Sequence, residues 1–387
     1  MSGEPFPLFD RPWGEALVIA GLQFDSHQRF DLGTLRAAFE ADRVRPGGGR
    51  VFGTVGRDCR WTGVGPQSSF DELVIGLGSA DDTQSAVDLL LMSGGATRAP
   101  AVLFGVGVNA VFVVYNHLLG GATTGIRLLS LALGKPLPRG ALLVGDPSNR
   151  LADTMLTAIQ HPLRSWNALA RARNASSSLS VQSRTYPKLS PQVRVLRNPV
   201  GADLSTSAVC SSVYSAFTRS GILDKDIPIR MLFRTEVRSR WEGSTGNDLM
   251  VVPMALADPA DPVQWRECIA SYRASELPKL LQAASVVRRS LLGRMGRPPR
   301  RGLGEVGINF SIVRHAGDSA ISELLDRGQA AAFIRTGSTS QQSVSVRLDS
   351  FEKATFMSLT ADSKDLVESA LEVLRGEYGW IRLGDVA

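Results

Sequence analysis

Cysteine, lysine and long apolar runs are all scarce in this chain, and each shortage closes off a class of protein. Its 387 residues hold 3 cysteines, Cys59, Cys210 and Cys268, far apart and with neither a CxxC pair nor a histidine pair beside them. Such spacing suggests neither a disulfide framework nor a zinc site, so no metal is expected and a cytoplasmic compartment fits. The most apolar stretch, Ala101 to Tyr115, is shorter than the ~20 residues a helix needs to cross a bilayer, and no membrane span is expected. Met1 to Pro12 lacks a basic region followed by an apolar one, so no secretory signal is expected either. There is no P-loop, HExxH or GxSxG, which leaves nucleotide hydrolysis, zinc proteolysis and an α/β-hydrolase elbow without support. Gly302-Leu-Gly-Glu-Val-Gly307 matches GxGxxG in form, but it leaves a Pro-Pro-Arg-Arg loop and enters a strand. A dinucleotide fingerprint must leave a strand and open a helix.

What is present is a globular composition, 43% hydrophobic and 21% charged, able to bury a sizeable core. Length argues for two domains, with a boundary expected at 167/168 so that residues 1–167 and 168–387 form the two lobes. Between 168 and 200 the chain is rich in Ser, Arg, Asn and Pro without clear periodicity, and reads as the crossover. Strands are expected at Glu15 to Phe24, around Val51 to Trp61, and at Glu72 to Leu77. Ala101 to Val106 and Ala110 to Tyr115, separated by Gly107-Val108-Asn109, read as a hairpin. Helices are expected from Asp31, over Thr83 to Met92, and from Thr123 or Thr124 to Gly134, where Lys135-Pro136 makes a stop. In the second half, Ser205 or Thr206 caps a helix to Gly221, and alternation marks strands around Ile227 to Phe233 and Val306 to Ile312. Leu249 to Ala255, Ala330 to Ile334, Ser343 to Leu348 and Ala354 to Leu359 supply more strands. A long helix from Val263 is expected to kink or break near Pro278, and Leu366, Ala370 and Leu374 mark a closing amphipathic helix.

The segment Asn116-His117-Leu118-Leu119-Gly120-Gly121-Ala122 ends the buried hairpin strand and opens a helix. Histidine titrates near neutrality, so His117 can take a proton from an alcohol or amine, and the glycines allow close approach to the backbone. The same residues suit a core histidine in a tight turn, and pattern alone leaves both readings open. Val113 to Leu129 resembles the active-site segment of the superfamily of condensation domains, wax ester synthase/diacylglycerol acyltransferases and chloramphenicol acetyltransferases. The pattern there is HHxxxDG followed by a helix. Asn116 stands at the first histidine, His117 at the second, Gly121 at the aspartate and Ala122 at the glycine, so three of four signature positions differ. The flanks are similar too: Phe30 to Phe39 resembles an early family helix, Gly134 to Pro138 the segment closing the motif helix, and Gly246-Asn247 a Gly-Asn before a second-lobe strand.

The resemblance implies an α/β fold of two chloramphenicol acetyltransferase-like lobes, each a mixed sheet with helices, forming a V-shaped pseudo-dimer around a central tunnel. It implies His117 as general base, with Asn116, Gly120 and Gly121 supporting the loop. The family aspartate commonly pairs with an arginine; Gly121 cannot, so the loop must be ordered otherwise or be looser. Asn247, Asn309 and Ser311 are candidates for substrate or oxyanion contacts, the last two on one face of an apolar strand. Arg288, Arg289 and Arg294 are candidates for phosphate or carrier contacts; the bland reading is a solvated loop after a helix. Nucleic acid is not expected, because no aromatic interleaving or helix-turn-helix accompanies the charges. The implied activity is acyl transfer from a coenzyme A or phosphopantetheine thioester to an amine or alcohol, with an acyl or peptidyl carrier protein as partner and no tightly bound cofactor. Alternatives are a wax ester or diacylglycerol acyltransferase, and a non-catalytic or repurposed relative such as a binding protein or cyclisation catalyst.

Overall fold

The computed structural model describes residues 4–5, 17–25, 30–44, 51, 53–55, 60–62, 69–78, 83–94, 101–137, 156, 159, 166, 170, 192–198, 205–221, 227–234, 249–281, 307–315, 320–337, 343–361 and 363–383. Two mixed sheets carry the fold. The first half of the chain supplies strands β1 (Glu4–Pro5), β2 (Leu17–Phe24), β3 (Thr54–Val55), β4 (Arg60–Thr62), β5 (Val74–Gly78), β6 (Val102–Gly107) and β7 (Ala110–Asn116). With them come helices α1 (Leu32–Val44), α2 (Phe70–Leu73), α3 (Thr83–Gly94) and α4 (Ala122–Ala132). The second half supplies β8 (Gln192–Arg197), α5 (Thr206–Arg219), β9 (Ile229–Arg234), β10 (Leu249–Pro253), α6 (Pro262–Ala274) and β11 (Gly307–Arg314). Then follow α7 (Ala320–Asp326), β12 (Ala330–Gly337), β13 (Ser343–Ser350), β14 (Thr355–Ala361), α8 (Lys364–Tyr378) and β15 (Ile381–Arg382).

The first sheet has the order β12-β2-β7-β6-β5, the second β10-β9-β11-β13-β14-β8-β15, and β1, β4 and β3 form a small third sheet. β2 is buried along almost its whole length, as its sequence LVIAGLQF requires when both faces are covered. One face of the first sheet packs on α1, α4 and α7 through Leu35, Phe39, Leu128, Leu129 and Ile321. Its other face packs on α3, and Val193 and Val195 of β8 join that cluster. The second sheet lays Ile308, Phe310, Val346, Leu348, Met357 and Leu359 against α5, α6 and α8.

Several contacts join the halves, two of them through β12 and β8. β12 comes from the second half but pairs antiparallel with β2, Gly337 opposite Val18, so the crossover strand belongs to the first sheet. Gln84 of α3 accepts a 2.8 Å hydrogen bond from the Val193 amide of β8.

Most local expectations correspond to observed elements. Asp31 caps α1 by accepting from the Gly33 and Thr34 amides at 3.0 Å, and Ser205 and Ser363 cap α5 and α8. Two differ. Gln192–Arg197, inside the stretch read as crossover, is a strand within the second sheet: Val193 and Val195 cover one face and Leu196 the other, a pattern too short to stand out among polar neighbours. Glu72 to Leu77 is divided, a capped turn of helix at Phe70–Leu73 leading directly into β5. The long helix from Val263 does stop before Pro278: α6 ends at Ala274 with Ser275 as its C-cap, and Glu276 turns left-handed at φ 52° before a new helical turn over 277–281. Proline has no amide to donate back to the Ala274 carbonyl, so the ladder of α6 cannot run on through it.

Candidate functional site

β7 delivers the site. Val111 to Tyr115 are fully buried, which fixes the register of the hairpin and therefore where the chain leaves the sheet. Asn116 closes the strand, its amide donating to the Ala101 carbonyl at 3.0 Å. His117 then opens a single turn of 3-10 helix, His117–Leu119, and Gly120 returns its amide to the His117 carbonyl. Gly120 has φ 135°, a conformation open in practice to glycine alone, and this reversal lets the chain enter α4. His117 is 8% exposed.

The expectation that Gly121 leaves the loop either looser or ordered by other means resolves to the second. The Tyr115 hydroxyl donates to the Gly121 carbonyl at 2.7 Å, the Thr124 amide donates to the same carbonyl, and the Thr124 hydroxyl reaches the Leu119 carbonyl at 3.2 Å. Gly121 is the N-cap residue of α4, with no side chain to cap it. Burial drives the Tyr115 phenol far above its ordinary pKa, an effect the Arg335 and Arg347 charges only partly offset, so it remains a donor. Sequence reasoning overlooked Tyr115; its signal was a hydroxyl at the end of an otherwise apolar buried strand. Gly125 lets α4 lie close on this pair, since a Cβ there would sit 2.8 Å from the Ala20 Cβ and 3.1 Å from the Tyr115 oxygen.

β12 also carries a buried polar cluster, of which the sequence had singled out Ser311. Arg335 of β12 donates through Nε to both carboxylate oxygens of Asp349 on β13, at 2.9 and 2.8 Å. Its Nη1 reaches the Ser311 hydroxyl at 3.0 Å and its Nη2 the Ser311 carbonyl at 3.1 Å. His315 donates from Nε2 to Asp349 Oδ1 at 2.8 Å while its ring stacks on Phe351. Burial pushes the Asp349 pKa up, but the Arg335 charge and the His315 hydrogen bond outweigh it and hold the carboxyl below its usual range. The cluster therefore ties the first sheet to the second by a charge-assisted bond with no exposed member.

Of the residues singled out in the sequence, His117, Asn116, Gly120 and Gly121 come together in one loop. Ser311 is buried and engaged by Arg335; Asn309, two residues back on β11, is half-buried on the same sheet face. Asn247, Arg288, Arg289 and Arg294 lie outside the described residues. Cys210 is buried and its thiol pushed well up by burial, which suits packing rather than nucleophilic attack. Among the described residues no three His, Cys, Asp or Glu side chains gather as a metal site, and no helix is long and apolar enough to cross a membrane.

No family model matches the chain, and no curated protein matches it. Solved structures do. The first condensation domain of the calcium-dependent antibiotic synthetase aligns at TM-score 0.60 and 13% identity, covering 97% of this chain and 95% of that one. The condensation domain of the Monacolin K polyketide synthase MokA aligns at TM-score 0.54 and 12% identity over 97% of each chain. The starter condensation domain of the rhizomide synthetase RzmA aligns at 0.53 and 10% identity over 94% of this chain and 88% of that one. At these identities the likeness concerns architecture: the chain has the mixed α/β fold of a condensation domain.

Proposed function

We propose, from the condensation-domain fold and the position of His117, that this protein joins an acyl thioester to an amine or alcohol. The observation that carries the reading is a buried imidazole at the junction of β7 and α4, on a loop whose backbone is fixed by Gly120, Tyr115 and Thr124. His117 takes the proton of the nucleophile as its nitrogen or oxygen attacks the thioester carbonyl. The new C–N or C–O bond forms, the C–S bond breaks, and the departing thiolate takes up the proton. The donor is a thioester of coenzyme A or of a carrier-protein phosphopantetheine, the acceptor a small amine or alcohol, and the setting cytoplasmic specialised-metabolite assembly. The RzmA domain of the same fold was solved in complex with C8-CoA and Leu-SNAC, which supports a thioester donor. Asn309, together with Asn247, is proposed to contact the substrate, and Arg288, Arg289 and Arg294 to meet pantetheine phosphate or an acyl or peptidyl carrier protein.

A second reading has its own observation. Three of four signature positions differ from HHxxxDG, which favours a binding relative without turnover. The two separate on one experiment. Purified protein is incubated with acyl-CoA, acyl-SNAC and acyl-loaded carrier proteins against a panel of amines and alcohols, and products are read by mass spectrometry. Acyl transfer is expected, and His117→Ala is expected to lower it by about 10²–10⁴. No ester or amide from any pair, or turnover indifferent to His117→Ala, rejects the enzyme and leaves the binding protein.

A further inference from the structure

β12 is the second half's strand in the first sheet, and its last residue, Gly337, lies at the end of that sheet where the chain turns toward His117. Gly337 pairs with Val18, the second residue of β2. On the far side of β2, Val18 pairs with Tyr115 and Leu17 with Asn116, the last two residues of β7 before His117. The end of β12 therefore stands two strands from the motif loop, in register with the residues that lead into it.

The contact leaves no room for a side chain. A Cβ built on Gly337 would stand 2.3 Å from the Leu17 carbonyl oxygen, whereas a carbon rests on such an oxygen at about 3.3 Å or more. The same Cβ would stand 3.0 and 3.2 Å from two nitrogens of Arg347, but those end a flexible side chain and can turn aside. The carbonyl belongs to the backbone and cannot. β12 has little freedom to retreat, because it is bound into the second sheet just before Gly337. Thr336 and Thr360 of β14 share a 2.8 Å bond between fully buried hydroxyls, the Arg335 amide donates to the Ser358 hydroxyl at 3.2 Å, and the Arg335 side chain is paired with Asp349. A side chain at 337 thus has to take its room, about 1 Å, from the start of β2. Leu17 passes that displacement to Asn116, and a misplacement of about 1 Å at a reacting group costs on the order of 10²-fold in rate.

We propose that Gly337 is a positioning residue for His117: the bare backbone at this point lets a strand anchored in the second sheet fix where β7 ends, and hence where the imidazole stands. The inference rests on the reading of His117 as general base, and deepens it by giving the second half of the chain a part in aligning that base.

The test separates position from turnover. The chain has 4 histidines, so imidazole carbons labelled for NMR in the full chain give few signals, and His117→Ala identifies the one sought. Wild type, Gly337→Ala and Gly21→Ala are compared. Gly21 is the control for crowding: it lies on the same strand β2, its Cβ would stand 2.3 Å from the Phe112 ring, and it pairs with the middle of β7 rather than with its end. Gly337→Ala is expected to move the His117 signal and to lower the kcat of acyl transfer about 10- to 100-fold, with KM within about twofold. Gly21→Ala is expected to lower the Tm and to leave both the His117 signal and kcat as in wild type. Should Gly337→Ala not fold, Thr336→Val with Thr360→Val releases the end of β12 without adding bulk, and is expected to move the His117 signal as well. An unmoved His117 signal in the folded variant, or one moved as far by Gly21→Ala, overturns the proposal. So does a loss of kcat/KM that comes from KM alone, which would assign Gly337 to binding. If wild type itself transfers no acyl group, the enzyme reading fails, and the His117 signal alone decides whether Gly337 positions the ring.

Discussion

Tyr115→Phe removes a single oxygen from the protein and leaves every packing contact of the ring in place. That oxygen donates at 2.7 Å to the Gly121 carbonyl, with the Gly125 amide also directed at it, and the ring is fully buried. The carbonyl keeps a second donor, the Thr124 amide at 3.1 Å, so the variant does not strand a buried acceptor. The expected loss of stability is therefore that of one net hydrogen bond, about 1 kcal/mol, and not the ~3 kcal/mol of an orphaned group. It is read from the urea midpoint at unchanged slope. The effect on acyl transfer should be larger. Tyr115 is the side-chain tether between the strand that delivers His117 and the helix that follows it, and about 1.4 kcal/mol of added freedom in that loop corresponds to tenfold in rate. Turnover is expected to fall about tenfold or more, chiefly in kcat. If stability falls by about 1 kcal/mol and kcat is unchanged, the hydroxyl serves the fold alone and the loop argument fails. If stability falls by 3 kcal/mol or more, the Thr124 bond is not the second donor claimed here.

The contact between the sheets gives two more tests, and the packing of α4 on β2 a third. Asp349→Ala strands the buried Arg335 and should cost about 3–5 kcal/mol in urea unfolding, whereas Arg335→Leu with Asp349→Ala should cost less than the single change; additivity of the two would refute a direct pair. Because Asp349 has a folded pKa below its ordinary 3.8, its contribution is complete above that value and is lost as pH falls through the lower folded value. Acid unfolding of wild type should show this step and Asp349→Ala should lack it, with identical acid profiles counting against the assignment. Gly125→Ala should destabilise by about 1–3 kcal/mol in thermal unfolding, because the new methyl meets Ala20 at 2.8 Å. The ordinary helix gain of about 0.5–1 kcal/mol would instead mean that α4 has room.

Much of the architecture was legible because it is written in local periods. The hairpin of β6 and β7, the capped starts of α1 and α5, the apolar stripe of α8 and the alternating strands β9 and β11 all follow from spacing that residues impose on their neighbours. What escaped depends on distant partners. Val193 and Val195 look unremarkable until α3 covers them, and Ala330–Gly337 reads as a strand but says nothing of which sheet it joins. Gly337 supplies part of that choice: a Cβ there would lie 2.3 Å from the Leu17 carbonyl, so only a residue without one can pair so closely with β2. No window of the sequence displays that contact, since it joins positions 320 residues apart.

The motif loop shows the same division between local and distant causes. The glycine reversal at Gly120 and the cap position of Gly121 are readable in the sequence, and the departure from an aspartate at 121 is too. What replaces the aspartate is close in sequence, the Tyr115 hydroxyl at the end of β7 and Thr124 in the first turn of α4, whereas the charged groups nearby come from the other half of the chain. A phenol kept neutral by burial holds the loop without contributing charge, and the Arg335 guanidinium that β12 brings nearby is answered by Asp349 of β13. Exchanging a carboxylate for a neutral tether therefore preserves the geometry of the loop while changing the electrostatics of the space behind it.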